Sequence, residues 1–203
     1  MYALGDSLPD EEVPPGTNLL MTGPAMSGKR RLGLEILSVG SNRGEGAIIV
    51  STTDGAERFV EEFGALVSEF DDVPIGIIDC VTKQQGRSPN ADDDRISYIS
   101  SPVDMTGIGI SLSEYLETFH QERMIRDNRV LFHSISTLLM YTDLKTVFRF
   151  LHVFTGRIQT ADALGVYVID SQSHDAQTMN TLKQLFDGMI DVPEDGQPNL
   201  TLA

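Results

Sequence analysis

The sequence predicts an α/β fold in which a central, mainly parallel β-sheet has helices on both faces. Two observations support this fold class. Short apolar runs alternate along the chain with longer segments whose apolar residues recur at helical spacing. The apolar runs also lack polar alternation, as expected of strands that are buried on both faces. With 203 residues, of which 40% are hydrophobic, the chain can bury a sizeable core, and we expect residues 1–203 to form a single domain.

The first part of the chain predicts an entry segment followed by two strand–helix units. Residues 1–16 are the entry segment, because the Val-Pro-Pro-Gly run at its end excludes a helix. The first strand is 17–22, and apolar residues at helical spacing predict a helix over 29–41. Strand 47–52 and helix 55–70 repeat the same order.

The rest of the chain continues the alternation. Strands are predicted over residues 75–80, 96–99, 129–134 and 165–170. Helices are predicted over residues 111–126, 143–159 and 176–187. Two short runs at the end, 189–192 and 199–202, are typical of a β-hairpin. The polar run 83–95 is predicted as a loop, and its three consecutive aspartates, 92–94, as solvated rather than cation-binding.

The charge balance is strongly acidic, with 30 acidic and 15 basic residues and a net charge of -15. This charge disfavours nonspecific binding to nucleic acid or to an anionic membrane over most of the surface. The acidic residues are spread along the chain, and lysine is scarce. This pattern predicts an archaeal, halophilic protein from a high-salt cytoplasm, and an ordinary acidic bacterial or archaeal protein is the alternative.

Cysteine and histidine usage also limit the possible classes. Cys80 is the only cysteine, so no internal disulfide is possible and a reducing compartment fits. The first 15 residues are acidic and proline-rich, unlike a signal peptide, and no apolar run is long enough to span a membrane. The four histidines are scattered without a metal-binding spacing. We therefore expect a cytoplasmic protein without a zinc site.

A glycine-bounded loop lies between the first predicted strand and the first predicted helix. Its residues are Gly23, Pro24, Ala25, Met26, Ser27, Gly28, Lys29 and Arg30. A strand, such a loop, Gly-Lys and a helix form the context of a P-loop, whose backbone N–H groups and lysine surround phosphate oxygens. The pattern G-x-x-x-x-G-K-[ST] fails only at its last position, where Arg30 replaces the hydroxyl that holds Mg²⁺. The alternative is a glycine turn before a helix that binds nothing.

Polar residues stand at the ends of the other predicted strands, where ligands bind in parallel sheets. They are Asp54, Asp79, His133, Ser134 and Asp170. Acidic strand ends are common in α/β proteins, so capping of a helix or turn is the alternative for each aspartate. Asp54, with Glu57 three positions on, has the spacing of a capping box at the second predicted helix.

The order of these parts resembles the RecA-like ATPases of the KaiC type, a family common in archaea. The resemblance rests on the Val-Pro-Pro-Gly lead into the first strand, on Gly28-Lys29, and on the run 129–139, which is similar to the family's Walker B strand. The run 188–191 looks like its closing strand. The resemblance spans nearly the full chain. It implies a RecA-like P-loop NTPase fold, with ATP and possible Mg²⁺ at a subunit interface of a ring or filament.

The resemblance also identifies replaced groups. The family's Walker B aspartate falls on His133, and its P-loop hydroxyl falls on Arg30. The catalytic glutamate falls one or two positions before Asp54, which is the nearest acid. Ser171 and Gln172 lie where RecA-like proteins place a phosphate-sensing polar residue. The phosphate-binding loop is therefore expected to remain, while the groups that serve magnesium and water are altered.

These replacements favour binding over hydrolysis. Phosphoryl transfer relies on positioning and electrostatics, so each lost group costs orders of magnitude in turnover. Arg30 would partly replace magnesium with a fixed positive charge, whereas His133 cannot serve as an anionic ligand. The sequence predicts an ATP-binding regulator with weak or absent hydrolysis. The alternatives are an active ATPase whose metal is held by Asp54, Asp79 or Asp170, and a structural or signalling interaction domain without nucleotide.

The resemblance suggests DNA as a partner, but the net charge opposes it. Arg123, Arg126 and Arg129 form a local basic cluster that Glu122 and Asp127 interrupt, which is typical of a solvated helix end. We expect self-association or a protein partner instead.

Overall fold

The computed structural model describes residues 1–90 and 93–203. The strands in this part of the chain are β1 (Tyr2–Ala3), β2 (Glu12–Val13), β3 (Asn18–Gly23), β4 (Gly46–Ser51), β5 (Ile75–Asp79), β6 (Ile96–Tyr98), β7 (Asn128–His133), β8 (Leu164–Asp170), β9 (Gly188–Asp191) and β10 (Asn199–Leu202). The helices are α1 (Lys29–Ser41), α2 (Ala56–Gly64), α3 (Met105–Arg123), α4 (Ile135–Tyr141), α5 (Leu144–Thr160) and α6 (Ala176–Lys183).

Eight of the strands form one sheet in the order β10-β9-β3-β8-β7-β4-β5-β6. All neighbouring pairs in it are parallel except β9 and β10, which form the antiparallel C-terminal hairpin. The predicted fold class is therefore confirmed, including the hairpin. No helix in the described ranges is long and apolar enough to cross a membrane.

The core consists of two apolar layers, one on each face of the sheet. Residues of β3 alternate between the layers, with Leu19 and Met21 on one side and Leu20 on the other. The first layer packs beneath α1 and α2, and the second beneath α3, α4, α5 and α6. Because both faces are covered, β3 and β4 are buried along their whole length and β7 is buried up to the half-buried His133 at its end, which explains their continuous apolar sequence.

Three predicted helices have clearly different bounds in the structure, and one of them, α6, ends at Lys183 rather than at residue 187. Helix α2 ends at Gly64 rather than at residue 70. Phe70 instead begins a separate 3₁₀ turn, and the Phe70 ring packs edge-on against Phe63. Helix α3 begins six residues earlier than residue 111, because the Asp104 carboxylate accepts a hydrogen bond from the Gly107 N–H and caps it. Gly107 and Gly109 are typical of a turn, which is why the sequence pattern places the start of this helix too late. At Gly109, a Cβ would lie 2.8 Å from the Arg157 guanidinium, so the glycine lets this side chain pack close to the helix.

The entry segment is more ordered than the sequence predicts, since β1 and β2 pair antiparallel. Arg129 binds this segment from β7. Its side chain is fully buried, donates to the Ala3 carbonyl at 2.7 Å and pairs with Glu45 at 2.7 Å. The Tyr2 ring lies 5.3 Å from its guanidinium carbon. The interpretation of Arg129 as part of a solvated helix end was therefore wrong, because its charge is neutralised inside the fold.

Candidate functional site

The glycine-bounded loop lies at the carboxyl edge of the sheet, between β3 and α1. Gly23 is the last residue of β3 and is aligned with Asp170 of β8. A Cβ on Gly23 would lie 2.2 Å from the Val192 carbonyl oxygen. The backbones at Gly23 and Val192 are therefore too close together for position 23 to carry a side chain. Gly28 has a φ of +91°, a conformation that favours glycine. The two glycines that define the motif are thus required by local geometry.

Lys29 is folded back onto the loop. Its Nζ donates to the Gly23 carbonyl at 2.9 Å and to the Pro24 carbonyl, and lies 3.4 Å from the Ser27 hydroxyl. The side chain is only 7% exposed. Burial lowers its pKa, while the Asp170 carboxylate acts in the opposite direction. The structure therefore keeps an ammonium group among carbonyl oxygens at the start of α1.

A cleft of about 710 Å³ opens beside the loop, a volume typical of small-molecule sites. It is lined by the second half of the loop, by α1 and α2, and by the ends of β7 and β8. Of the predicted phosphate-binding residues, the lining includes Met26, Ser27, Gly28, Lys29 and Arg30. The first half of the loop lies outside it. Leu34 and Leu66 provide an apolar region of the same cleft.

The Arg30 side chain forms ion pairs with α2 and with the turn that precedes it. Its Nη1 lies 2.5 Å from an Asp54 carboxylate oxygen, and its Nε lies 2.7 Å from Glu62. The guanidinium carbon lies 4.1 Å from the centre of the Phe59 ring, which is cation–π geometry. Its third nitrogen, Nη2, is buried and has no hydrogen-bond partner among the described residues. Arg30 is thus held by two acids while one pair of N–H donors remains unused.

Arg58 completes an ionic network with the same two acids. It lies 2.9 Å from Asp54 and 3.0 Å from Glu62. Burial by itself would raise the pKa of Asp54, but the Arg30 charge and hydrogen bond outweigh it and lower the pKa below its usual value. Two guanidinium groups and two carboxylates therefore form a compact cluster without net charge.

Asp79 is a structural residue rather than a group that faces the cleft. It is fully buried, and its oxygens accept hydrogen bonds from the N–H groups of Ala56, Val81 and Thr82 and from the Thr82 hydroxyl. The N-cap position of α2 is Gly55, which makes no side-chain bond. The predicted capping box of Asp54 and Glu57 was therefore wrong. Asp79, from the neighbouring strand, satisfies the first N–H of α2 instead.

His133 lines the cleft as a neutral side chain. Burial and then the Arg30 charge lower its pKa to about 4. Its Nδ1 lies 3.1 Å from the Thr53 hydroxyl, and its ring meets Phe59 edge-on at 6.0 Å. The peptide bond between His133 and Ser134 is cis. The end of β7 thus carries an uncharged imidazole at neutral pH, at the position where the sequence resemblance implied a Walker B aspartate.

Asp170 lines the cleft, whereas Ser171 and Gln172 do not contribute to its described lining. The Asp170 carboxylate accepts from the Gln172 N–H at 3.2 Å, and the Asp170 N–H donates to Ser136 Oγ at 2.9 Å. The Ser171 N–H donates to the Gly23 carbonyl and so ties β8 to the loop. The structure therefore brings Asp170 into the cleft lining, whereas the two predicted sensors are not part of that lining.

Several residues of the site were missed in the sequence. Glu62, Arg58 and Phe59 all lie on α2 and contact Arg30 or its acidic partners. The Arg58–Glu62 spacing of four is a recognisable helical ion pair. No sequence signal indicates that Asp54 and Glu62 both form ion pairs with Arg30 in α1.

No group of three or more His, Cys, Asp or Glu side chains in the described ranges has an arrangement that would hold a metal ion. The predicted solvated aspartates include Asp92, which lies outside the described residues. Asp93 pairs with Arg95 at 2.8 Å.

Known structures resemble this fold. A KaiC-like protein from the hyperthermophilic archaeon Pyrococcus horikoshii OT3 has a TM-score of 0.62 at 13% identity, covering 89% of this chain and 72% of that one. An uncharacterized protein from Pyrococcus horikoshii, crystallised in complex with an unknown peptide, has a TM-score of 0.69 at 12% identity, covering 89% and 78%. At these identities the likeness shows a KaiC/RecA-like fold and nothing more.

No curated protein matches the sequence. One family model, described as a family of unknown function, DUF7504, matches residues 16–192. This match covers the loop, the cleft and all strands of the main sheet except β10. The chain therefore belongs to the DUF7504 family.

Proposed function

We propose that this protein is an ATP-binding regulator of the RecA/KaiC-like type whose ATP hydrolysis is weak or absent. The observation that carries the proposal is the glycine-bounded loop with Lys29 at its end, placed between a central strand and α1 and opening into a cleft. The N-terminus of a 13-residue helix adds partial positive charge and free N–H groups to this position. Such an arrangement suits the phosphates of a nucleotide.

The shape of the cleft supports a ligand larger than a phosphate ion. Its charged part contains Lys29 and Arg30, and its apolar part contains Leu34, Ala65 and Leu66. A nucleotide has the same division, with an anionic end and a flat, largely apolar base. We therefore assign the phosphates to the loop and the nucleoside to the remainder of the cleft.

Weak hydrolysis follows from the states of the side chains nearest the loop. Asp54 is engaged by Arg30 and Arg58, so it is poorly placed to orient water. His133 carries no negative charge. Two of the groups that phosphoryl transfer needs are thus absent or occupied.

An active ATPase is the second candidate, and Asp170 favours it. This carboxylate lines the cleft, and its charge acts on Lys29. In this alternative Asp170 would serve the metal or the attacking water. Measured turnover, and its loss in Asp170→Asn with ATP affinity retained, would favour the second candidate over the first.

The binding test is isothermal titration calorimetry of ATP with Lys29→Ala, beside Lys145→Ala as a control on the exposed start of α5. We expect the loss of Lys29 to weaken ATP at least about tenfold, since a charge-assisted hydrogen bond contributes about 1.5–3 kcal/mol. The control should bind as the wild type does. Circular dichroism would establish that both variants fold. Unchanged affinity in folded Lys29→Ala would refute the proposed site.

A further inference from the structure

The fold that this chain shares with KaiC-like proteins implies magnesium beside the nucleotide phosphates. The residues of this cleft do not fit that ion. Mg²⁺ prefers an octahedron of oxygen ligands, including one or two carboxylates that are free to approach it. Position 30, which supplies a hydroxyl in the P-loop pattern, carries a guanidinium in this chain.

The two acidic side chains that contact Arg30 already form ion pairs with arginines. Asp54 and Glu62 each contact both Arg30 and Arg58, at distances from 2.5 to 3.0 Å. A divalent cation placed among them would meet two positive guanidinium groups at short range. Coulomb repulsion in a partly buried setting would oppose its entry. These two carboxylates are therefore unavailable as metal ligands while Arg30 is present.

The other candidates do not compensate. Within the described ranges, Asp79 accepts hydrogen bonds from the N–H groups of Ala56, Val81 and Thr82 and from the Thr82 hydroxyl, so its oxygens are already engaged. His133 offers only nitrogen, a poor donor for Mg²⁺, and its Nδ1 faces the Thr53 hydroxyl. Asp170 is a single carboxylate, and its charge already acts on Lys29. With the P-loop hydroxyl replaced and Asp54 and Glu62 engaged by arginines, Asp170 is the single carboxylate of the described cleft lining that no guanidinium engages.

We propose that this nucleotide site works without a divalent cation, and that the Arg30 guanidinium takes the place of the metal. The buried Nη2 of Arg30 has no partner among the described residues, and Arg30 lines the cleft beside Lys29. A phosphate oxygen that accepts from Nη2 would satisfy this donor, once the atoms that cover Nη2 shift enough to admit it. Asp54, Glu62 and Phe59 fix the guanidinium in one orientation, so little side-chain entropy is lost on binding.

This inference rests on the proposed function but can fail separately from it. Isothermal titration calorimetry would measure ATP binding to the wild type in excess EDTA and then in excess magnesium chloride. We expect the two dissociation constants to agree within about threefold. Binding that is at least about tenfold tighter with magnesium would overturn the inference and leave ATP binding intact. Absence of binding in both conditions would refute the proposed function, and this inference with it.

The matching variant is Arg30→Ser, which restores the P-loop hydroxyl and releases Asp54 and Glu62. In EDTA its ATP affinity should fall at least about tenfold, and magnesium should restore part of the loss. Arg43→Ser removes the same charge from an exposed turn outside the cleft lining and should bind as the wild type does. Wild-type affinity of Arg30→Ser in EDTA would show that the guanidinium does not contact the phosphates.

A folding control is needed because Arg30 joins α1 to α2. Arg30→Lys keeps the charge and loses the planar fork, so its affinity in EDTA should lie between those of the wild type and Arg30→Ser. Thermal melting followed by circular dichroism would show whether each variant is folded at the titration temperature. If Arg30→Ser does not fold, Arg30→Lys together with the wild-type comparison still decides the question. If Arg30→Lys binds ATP in EDTA as tightly as the wild type does, the phosphates are not recognised by the planar guanidinium of Arg30.

Discussion

Arg30 makes two ion pairs and a cation–π contact from a position where P-loop sequences carry a small hydroxyl side chain. The sequence alone suggests a free cation directed at phosphate. In the structure most of that charge is balanced by Asp54 and Glu62. In the proposed metal-independent site, Arg30 would therefore present oriented N–H donors rather than excess charge.

At the residue scale, the lowered pKa of His133 predicts that the free energy of unfolding depends on pH. Burial and the Arg30 charge lower its folded pKa to about 4, whereas an unfolded histidine titrates near about 6.5. The unfolded state therefore binds the proton first as the pH falls. The stabilising contribution of neutral His133 is complete above about pH 6.5 and is lost progressively as the pH falls toward 4.

Urea unfolding between pH 7 and pH 4 tests this expectation. For His133 the free energy of unfolding should fall by up to about 1.4 kcal/mol per pH unit within that window. His133→Gln should show a shallower dependence, and His120→Gln, on the exposed side of α3, should retain the wild-type slope. Identical slopes for the wild type and His133→Gln would mean that His133 does not titrate as described.

At the element scale, the position of α2 depends on Asp79 of β5. The helix has no side-chain cap of its own, and the Ala56 N–H donates to the Asp79 carboxylate at 2.8 Å. The same carboxylate holds the turn that follows β5 through Val81 and Thr82. Because α2 carries Phe59 and Glu62, a strand-end aspartate outside the cleft lining determines where the partners of Arg30 lie.

We expect Asp79→Ala to lower the free energy of unfolding by about 3 kcal/mol or more, since buried N–H groups would lose a charged acceptor. The matched control is Asp143→Ala, which removes an exposed N-cap from α5 and should cost about 1 kcal/mol. Urea or thermal unfolding followed by circular dichroism gives both values. Equal losses in the two variants would contradict the structural role assigned to Asp79.

Helix limits are the part of the element pattern that the sequence predicted least well. The bounds of α1 agree with the predicted 29–41, because glycine chemistry and apolar spacing coincide there. In α3, by contrast, Gly109 lies inside the helix, where its carbonyl accepts a hydrogen bond from Arg157 of α5, rather than in a turn. Local sequence cannot distinguish these two uses of glycine, since the difference lies in a neighbouring helix.

At the scale of the whole molecule, control of self-association by the nucleotide stays a prediction. A second groove, of about 530 Å³, lies between α3 and α5 on the opposite face of the sheet from α1. Ile110 and Val153 line it and are 52% and 56% exposed. Apolar side chains exposed together in a groove are typical of contact surfaces. A nucleic acid partner remains disfavoured by the net charge of -15.

Sedimentation or light scattering with and without ATP tests this prediction. We expect a change in molar mass on addition of ATP in the wild type and no change in Lys29→Ala. Val153→Glu should weaken association without altering ATP affinity, because Val153 lies outside the nucleotide cleft. A mass that is the same in all conditions would exclude nucleotide-controlled self-association and favour a different protein partner.

The excess of acidic residues is a property of the whole chain, whose net charge is -15. An archaeal, high-salt source and a cytoplasmic location stay predictions from composition. Cys80 is buried and free. The fold itself does not depend on either prediction.

The sequence by itself determined the α/β class, the parallel core strands, the terminal hairpin and the glycine-bounded loop before α1. These features depend on apolar periodicity and on backbone chemistry within a few residues, so they can be read locally. Only the tertiary structure decided that Arg30 reaches Asp54 and Glu62, that Asp79 caps α2, and that Arg129 is buried against Glu45. These contacts join residues 23 to 84 positions apart, and they form only because the strand order places their elements side by side.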